Sequence, residues 1–272
     1  MKVLITGASG YVGARIYQDL KENHDVIGTY HKKPLFPKLS NLDITDAKEV
    51  NKTFLKFLPK IVVHVAANSS SADCNRDPRI PYLINKVGTD NIVNAAKRHR
   101  TKVIFISSYA AINADTPYGA SKFAGELAVQ KSKNYVILRP SLIIGQSPNT
   151  ENDRPHNRLL RNIKQGKPVQ YDASWKFQPT YLRHLSECIG AVIENEISNQ
   201  TIHIAVPELK SRFDIAKDIL GFFDIEVMPV DKNSKIPTIE KKLDELVDLR
   251  LPFCYYPELL LGVTEEIKDE LA

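Results

Sequence analysis

The sequence predicts an α/β fold, with a doubly wound parallel sheet and a smaller C-terminal lobe. Short apolar runs alternate along the chain with stretches of helical periodicity, a pattern typical of parallel strands joined by helices. Runs such as residues 61–65 are apolar nearly throughout, as expected of strands covered on both faces. With 272 residues, the chain is long enough for one large core and an appended lobe.

The elements follow from the chain in order. Predicted strands cover residues 3–6, 25–30, 60–67, 102–107 and 135–139, and predicted helices cover residues 14–22, 47–57 and 82–98, with a further helix around Tyr118. Pro140 ends the last of these strands, because proline cannot donate a hydrogen bond to a strand ladder.

The charged residues are spread along the chain. The net charge is +5, and the densest basic run, residues 97–100, has the pattern of the solvated end of a helix. This distribution does not predict a nucleic-acid partner. It is compatible with an anionic substrate or cofactor.

The cysteines and the apolar runs bear on the compartment. Cys74, Cys188 and Cys254 form no C-x-x-C pair, which indicates a reduced protein without a structural metal. No apolar run approaches the ~18 residues of a membrane span, and no basic leader precedes the first strand. We therefore expect a cytoplasmic protein with no membrane partner and no metal site.

A glycine cluster stands between the first predicted strand and the first predicted helix. Gly7, Gly10 and Gly13 alternate there with small and apolar residues, among them Tyr11 and Val12. Glycines permit a tight turn and let backbone N–H groups approach a pyrophosphate at the start of a helix. The cluster predicts a dinucleotide-binding loop.

The stretch T-P-Y-G-A-S-K-F-A-G-E places Tyr118 and Lys122 four residues apart. On a helix they project from one face, close enough for the ammonium to act on the phenol. Ser107 and Ser108 end the strand that precedes this helix. Each feature alone also fits an ordinary helix or turn, so its setting has to decide its meaning.

Taken together, these motifs resemble the extended branch of the short-chain dehydrogenase/reductase superfamily. The chain has T-G-x-x-G-x-x-G from Thr6, H-V-A-A from His64, then Ser108 and Y-x-x-x-K from Tyr118, in that order. Residues 178–185 and 211–213 resemble those of dTDP-4-dehydrorhamnose reductase-like proteins within that branch. The resemblance implies a Rossmann-like sheet and a C-terminal lobe that binds substrate.

The resemblance also implies the division of the chain and the roles of its residues. Residues 1–142 with 177–206 would form the dinucleotide-binding domain, and residues 143–176 with 207–272 the substrate-binding lobe. Tyr118 would donate a proton to the substrate carbonyl, Lys122 would lower the pKa of Tyr118 and hold the nicotinamide ribose, and Ser108 would hydrogen-bond the same carbonyl. Ala66 and Ala67 would leave room for the cofactor.

The end of the second predicted strand bears on the choice of cofactor. Enzymes that use NAD place an acidic residue there, whereas a basic residue accommodates the 2′-phosphate of NADP. This chain has His31 and Lys32, followed by Lys33, and no carboxylate. We therefore expect NADP(H) to be preferred and NAD(H) to be accepted. Asp43 and Ile44 resemble the family's contact with the adenine ring.

Two departures from the family pattern matter. Only nine residues separate Ser108 from Tyr118, where the family carries a longer loop, so the cleft is expected to be more open or Ser108 displaced. Tyr109 replaces the acidic residue that usually follows the catalytic hydroxyl. Sugar dehydratases need an Asp-Glu pair at this point, so elimination chemistry is not expected.

Three functions remain open on the sequence. The first is an NADP(H)-dependent reductase of a nucleotide-linked keto-sugar, with this small molecule as its partner. The second is a nucleotide-sugar epimerase that holds NAD tightly. The third is a non-catalytic regulatory subunit that binds a dinucleotide and a partner chain. A homodimer is compatible with each of them.

Overall fold

The computed structural model describes residues 1–69 and 71–272. Its strands are, in chain order, β1 (Lys2–Thr6), β2 (Asp25–Tyr30), β3 (Ser40–Asn41), β4 (Ile61–His64), β5 (Lys102–Ile106), β6 (Tyr135–Pro140), β7 (Ile143–Ile144), β8 (Val169–Asp172), β9 (Lys176–Phe177), β10 (Thr180–Tyr181), β11 (Gln200–Ile204), β12 (Lys210–Ser211) and β13 (Val227–Val230).

The α-helices are α1 (Tyr11–Leu20), α2 (Ala47–Phe57), α3 (Ser71–Arg76), α4 (Arg79–Pro81), α5 (Gly88–His99), α6 (Ala110–Asn113), α7 (Pro117–Val129), α8 (Pro155–Gln165), α9 (Leu182–Glu194), α10 (Arg212–Leu220), α11 (Asp244–Asp248) and α12 (Tyr256–Leu271). A π-helix spans Tyr82–Val87, directly before α5, and a 3-10 helix spans Gly221–Phe223. No helix in the described part of the chain is both long and apolar enough to cross a membrane.

One sheet of seven strands organises the molecule, in the order β11-β6-β5-β4-β1-β2-β3. Every neighbouring pair in it is parallel. Thr6 at the end of β1 pairs with His64 at the end of β4, and the strand order reverses between these two strands. Ligands bind beyond the carboxyl ends of the strands at such a reversal. The predicted α/β class with a doubly wound, Rossmann-like parallel sheet is confirmed.

Helices cover both faces of the sheet. Successive residues of a strand point to opposite faces, so Val3 and Ile5 pack in one hydrophobic cluster with residues of α1 and α9. Leu4 packs in the cluster on the other face, with residues of α2 and α5. Burial on both faces explains why the central strands are apolar nearly throughout.

The predicted bounds hold for some elements and shift for others. The strand 25–30 and the helix 47–57 lie where they were expected. The predicted strand 60–67 ends at His64 instead, because the N–H groups of Val65 and Ala66 donate to Thr6 Oγ1 rather than to a neighbouring strand. The predicted helix 82–98 begins as a π-helix.

A third hydrophobic cluster, which we call the C-terminal cluster, lies outside the sheet. It contains buried residues of α8, α10 and α12 together with Ile144, Phe177 and Tyr181. The small strand pairs β7 with β10 and β8 with β13 belong to the same part of the chain. The division into a dinucleotide-binding domain and a substrate-binding lobe at the stated boundaries stays a prediction.

Candidate active site

Residues 7–13, which follow β1 and which we call the glycine loop, form a tightly packed turn. Gly7 has a φ of +74°, and a Cβ atom there would lie 2.9 Å from the backbone nitrogen of Ala66. A Cβ atom at Gly13 would lie 2.2 Å from the carbonyl oxygen of Gly7. Gly10 is the N-cap residue of α1, and no side chain caps that helix. The first N–H groups of α1 have no partner within the helix, so the loop fits an anionic pyrophosphate.

Tyr11 and Val12 contribute their backbone to this loop. The ring of Tyr11 is buried, and its hydroxyl donates to the carbonyl oxygen of Gly145. Ser147 Oγ donates to the carbonyl oxygen of Tyr11 at 2.6 Å, and Asn149 Nδ2 donates to that of Ser9 at 2.6 Å. Residues 145–149 therefore brace the glycine loop from the side of the C-terminal cluster.

The predicted phosphate-binding residues follow β2 on the surface. His31 Nε2 lies 3.7 Å from Asp43 Oδ2, and Lys33 Nζ lies 3.2 Å from Glu151 Oε1. Lys32 is exposed, and among the described residues it forms no ion pair. This cationic loop is accessible to an anion, although Lys33 is already shared with a carboxylate.

Ile44 and Asp43 lie on the chain between β3 and α2. Ile44 is buried and packs closely against α5, since a Cβ atom at Gly88 would lie 2.7 Å from Ile44 Cδ1. Asp43 Oδ1 accepts hydrogen bonds from the backbone nitrogen and the hydroxyl of Thr45, at 2.8 and 2.7 Å. These contacts fix the turn, and a contact of either residue with adenine stays a prediction.

Ser108 and Tyr118 are brought together, as the sequence predicts. Ser108 follows β5, and Tyr118 lies in the first turn of α7, which Thr116 caps by accepting a hydrogen bond from Gly119 N at 3.0 Å. The side chain of Ser108 is close enough to Tyr118 to lower the pKa of its hydroxyl. The short connection between them contains α6, against which α7 packs closely: a Cβ atom at Gly119 would lie 2.3 Å from the carbonyl oxygen of Ala110.

The electrostatics of Tyr118 are set by burial and by one cation. Burial raises the pKa of Tyr118, while the side chain of Ser108 and the charge of Arg154 lower it. In this structure the cation that lowers the pKa of Tyr118 is Arg154 and not Lys122. Lys122 Nζ instead donates to the carbonyl oxygen of Ile106 at 2.7 Å.

A buried histidine ties β1 to β4 beside the glycine loop. Thr6 Oγ1 accepts hydrogen bonds from Val65 N and Ala66 N, at 3.2 Å each, so its own proton is directed to His64 Nδ1 at 2.7 Å. His64 Nε2 then carries the ring proton and donates to Thr89 Oγ1 at 3.0 Å. Burial and the charge of Lys122 lower the pKa of His64 to about 3, so His64 is a neutral structural group.

Asn85 continues this network towards α7. The Asn85 side chain accepts from Asn68 N at 2.7 Å and donates to the carbonyl oxygen of Asn68 and to Ser121 Oγ, both at 2.9 Å. Ser121 Oγ in turn donates to the carbonyl oxygen of Tyr118 at 2.7 Å. The loop after β4, which carries the partly exposed Ala66 and Ala67, is thereby fixed relative to Tyr118.

Sequence reasoning missed a buried ion pair under the site. Glu126 accepts two hydrogen bonds from Arg139, at 2.9 and 2.6 Å, and a third from Ser107 Oγ. It thereby joins α7 to the ends of β5 and β6. One signal was available, because Glu126 follows Lys122 by four residues on an otherwise apolar helix face.

Sequence reasoning also missed Arg154, the residue before α8. Its guanidinium donates to Ser69 Oγ at 2.7 Å across 85 residues of chain. Nothing in the local sequence pattern marks this residue.

Tyr109, which replaces the family's acidic residue, points away from the site. It is buried in the cluster that contains α1 and α9, its ring meets His203 edge-on, and its hydroxyl lies 3.5 Å from Gln178 Oε1. The position after Ser108 therefore supplies no group to the reacting atoms. Within residues 1–69 and 71–272, no cluster of His, Cys, Asp and Glu is suited to hold a metal ion.

Two solved structures that share this fold are a reductase and an epimerase. A dTDP-4-dehydrorhamnose reductase from Bacillus anthracis, solved with NADP, superimposes with a TM-score of 0.84 at 24% identity, covering 98% of this chain and 99% of that one. A UDP-glucose 4-epimerase from Thermus thermophilus, solved with NAD, gives a TM-score of 0.83 at 20% identity, with 98% and 99% covered.

One relative in sequence is named as a subunit, and not as a reductase or an epimerase. The methionine adenosyltransferase 2 subunit beta of Xenopus laevis is 23% identical over 243 residues, which are 82% of this chain and 72% of the relative. At the level of the family, the RmlD substrate binding domain matches residues 1–242. That match confirms the resemblance read from Thr6–Gly13, Ser108 and Tyr118, and the chain belongs to the RmlD substrate binding domain family.

Proposed function

We propose that this protein is an NADP(H)-dependent reductase of a nucleotide-linked keto-sugar. The pair of Ser108 and Tyr118 carries the proposal, because both residues lie at the carboxyl edge of the sheet, on the side where the glycine loop fits a pyrophosphate. The family match and the NADP complex of the B. anthracis relative support it.

The side chains support reduction of a carbonyl by acid catalysis. When bound, NADPH would supply a hydride to the carbonyl carbon. Tyr118 donates its proton to the carbonyl oxygen, and Ser108 orients that oxygen through its hydroxyl. The glycine loop would hold the pyrophosphate, and Lys122, one helical turn beyond Tyr118, would hold the nicotinamide ribose. His31 and Lys32 are the groups that would meet a 2′-phosphate.

Epimerisation is the second candidate, since the same tyrosine can act as a base and the T. thermophilus relative is an epimerase with NAD. The absence of a carboxylate among residues 31–33 favours NADP and therefore the reductase. An epimerase would retain NAD through purification, whereas the reductase is expected to release its cofactor.

A panel assay tests the proposal. Purified protein is incubated with NADPH and, in turn, dTDP- and UDP-linked 4-keto-sugars and simple ketones, and the loss of NADPH absorbance is followed. We expect turnover with at least one nucleotide-linked keto-sugar and none with simple ketones. No turnover with any nucleotide-linked keto-sugar would contradict the proposal.

A further inference from the structure

We propose that Arg154 binds the substrate directly and holds the diphosphate of the nucleotide-linked keto-sugar beside Tyr118. This inference rests on the function proposed above, and it adds a substrate-binding residue that belongs to the C-terminal part of the chain.

The first observation is that Arg154 has no carboxylate partner among the residues that the structure describes. Four arginines in the described part of the chain are partly buried. Arg15 pairs with Asp19 and Glu266, Arg139 pairs with Glu126, and Arg212 lies over the ring of Trp175. Among the described residues, the side chain of Arg154 forms one hydrogen bond, to Ser69 Oγ. A partly desolvated guanidinium without an anion is unfavourable, so this side chain is ready to receive one.

The neighbouring carboxylate is already engaged. Asp153 accepts hydrogen bonds from Arg158 at 2.7 and 2.5 Å and from Arg161 at 2.6 Å. These two arginines lower the pKa of Asp153 to about 2. Asp153 is therefore paired with the two arginines on the first turns of α8 and does not pair with Arg154. Arg154 lies at the start of this helix, where the helix dipole also favours an anion.

The second observation is where the guanidinium lies. Arg154 precedes α8, whose buried residues belong to the C-terminal cluster, yet it donates to Ser69 in the loop after β4 of the sheet. Its side chain therefore joins the start of α8, a helix of the C-terminal cluster, to the loop after β4. Its charge reaches both Tyr118 and Tyr11, since it lowers the pKa of each against the effect of burial.

The guanidinium of Arg154 also has the chemistry to bind a diphosphate. A guanidinium carries five N–H donors in a planar fork that matches two phosphate oxygens. The bond to Ser69 uses one of them and fixes the side chain without cancelling its charge. A diphosphate is the anionic group of the proposed substrate, and it is linked to the sugar whose carbonyl must reach Tyr118. Arg154 can thus position the sugar as well as bind the anion.

Binding measurements test this inference without relying on turnover. Dissociation constants for dTDP-glucose, UDP-glucose and NADPH are measured by calorimetry for the wild type and for Arg154→Met. A hydrogen-bonded contact between charged groups predicts a loss of about tenfold to hundredfold for the nucleotide sugar. The NADPH constant is expected to stay within about twofold, which also shows that the variant is folded.

Three further variants sharpen the result. Arg154→Lys keeps the charge but not the fork, so it should recover part of the affinity for nucleotide sugar, and it provides a test if Arg154→Met does not fold. Ser69→Ala removes only the tether and should cost less than Arg154→Met. Arg98→Met removes one charge from an exposed position on α5 and should change no constant.

The outcomes separate this inference from the proposed function. An unchanged nucleotide-sugar constant in Arg154→Met overturns the inference, and so does an NADPH constant that rises as much, because Arg154 would then serve the cofactor. A wild type that binds neither nucleotide sugar overturns it as well. A wild type that binds them through Arg154 but oxidises no NADPH supports the inference and contradicts the reductase.

Discussion

The ammonium of Lys122 donates a 2.7 Å hydrogen bond to the carbonyl oxygen of Ile106, the last residue of β5. The same nitrogen lies 4.1 Å from the centroid of the Phe105 ring. Lys122 is 2% exposed, and its burial lowers its pKa to about 7, against the opposing charge of Glu126. The backbone of β5 thus holds the lysine in place, and the burial of its ammonium is a cost to the stability of the folded state.

Lys122 is expected to make stability depend on pH. Between pH ~7 and the ordinary lysine pKa of 10.5, the unfolded chain holds a proton at this residue that the folded chain has lost. Stability therefore rises with pH across that window. Lys122→Met should flatten this rise, as measured by urea unfolding at pH 7 and pH 9. Lys131→Met, at an exposed position, is the control, and equal slopes in all three proteins would refute the prediction.

Tyr118→Phe should lower turnover by about 100-fold or more, because the proton donor is lost. The dissociation constant for NADPH should stay within about twofold, since the glycine loop is untouched. Tyr82→Phe, at an exposed tyrosine, should leave both quantities unchanged. If Tyr118→Phe keeps more than about a tenth of the wild-type turnover, Tyr118 is not the acid.

The wild type should bind NADPH more tightly than NADH through the basic residues after β2. One exposed cationic contact is worth roughly fivefold in affinity, so replacing both Lys32 and Lys33 by alanine should remove most of the preference. The preference should also shrink as salt is added. Dissociation constants of both dinucleotides at two salt concentrations measure this.

Glu151 offers a test of the same loop in the opposite direction. Glu151→Gln frees Lys33 from its ion pair and should strengthen NADPH binding by a few-fold, with no effect on NADH.

The double variant of Lys32 and Lys33 needs a control for net charge. Lys52→Ala with Lys56→Ala, on α2, removes the same number of charges. A double variant of Lys32 and Lys33 that prefers NADPH as strongly as the wild type would show that the loop has no role in the choice.

His64 should make the protein sensitive to acid. The pKa of His64 is about 3 in the folded chain, against an ordinary value of 6.5. Below pH 6.5 the unfolded chain gains a proton that the folded chain does not. The free energy of unfolding therefore decreases as the pH is lowered from 6.5 to about 3.

His64→Leu should show a flatter decline between pH 7 and pH 4.5, followed by urea unfolding. At pH 7 it should be less stable than the wild type by about 1–3 kcal/mol, because the hydroxyls of Thr6 and Thr89 lose their partner. A variant that matches the wild type at both pH values would mean that this network contributes little.

The sequence was sufficient to predict those parts of the site that depend on strand ends. The glycine loop and Ser108 each follow an apolar run, and parallel strands bring their carboxyl ends to one edge. Tyr118 meets Ser108 there because α7 begins only nine residues later. These relationships depend on local pattern and on one rule of topology.

Other contacts depend on how distant parts of the chain return to the sheet. Arg154 reaches Ser69 from a helix of the C-terminal cluster, and Glu126 meets Arg139 only once α7 lies over β5 and β6. Tyr109 looks like a replacement at the site in the sequence, but its ring turns into the core beside His203. No periodicity or spacing encodes these side-chain directions.

The transfer of label from the cofactor to the sugar tests the central claim most directly. The protein is incubated with a nucleotide-linked keto-sugar and NADPH that carries deuterium at both C4 positions, and the mass of the sugar product is determined. We predict a reduced product with one deuterium from the wild type and unreacted keto-sugar from Tyr118→Phe. An isomer of unchanged mass, or a keto-sugar that the wild type leaves intact, would contradict the account.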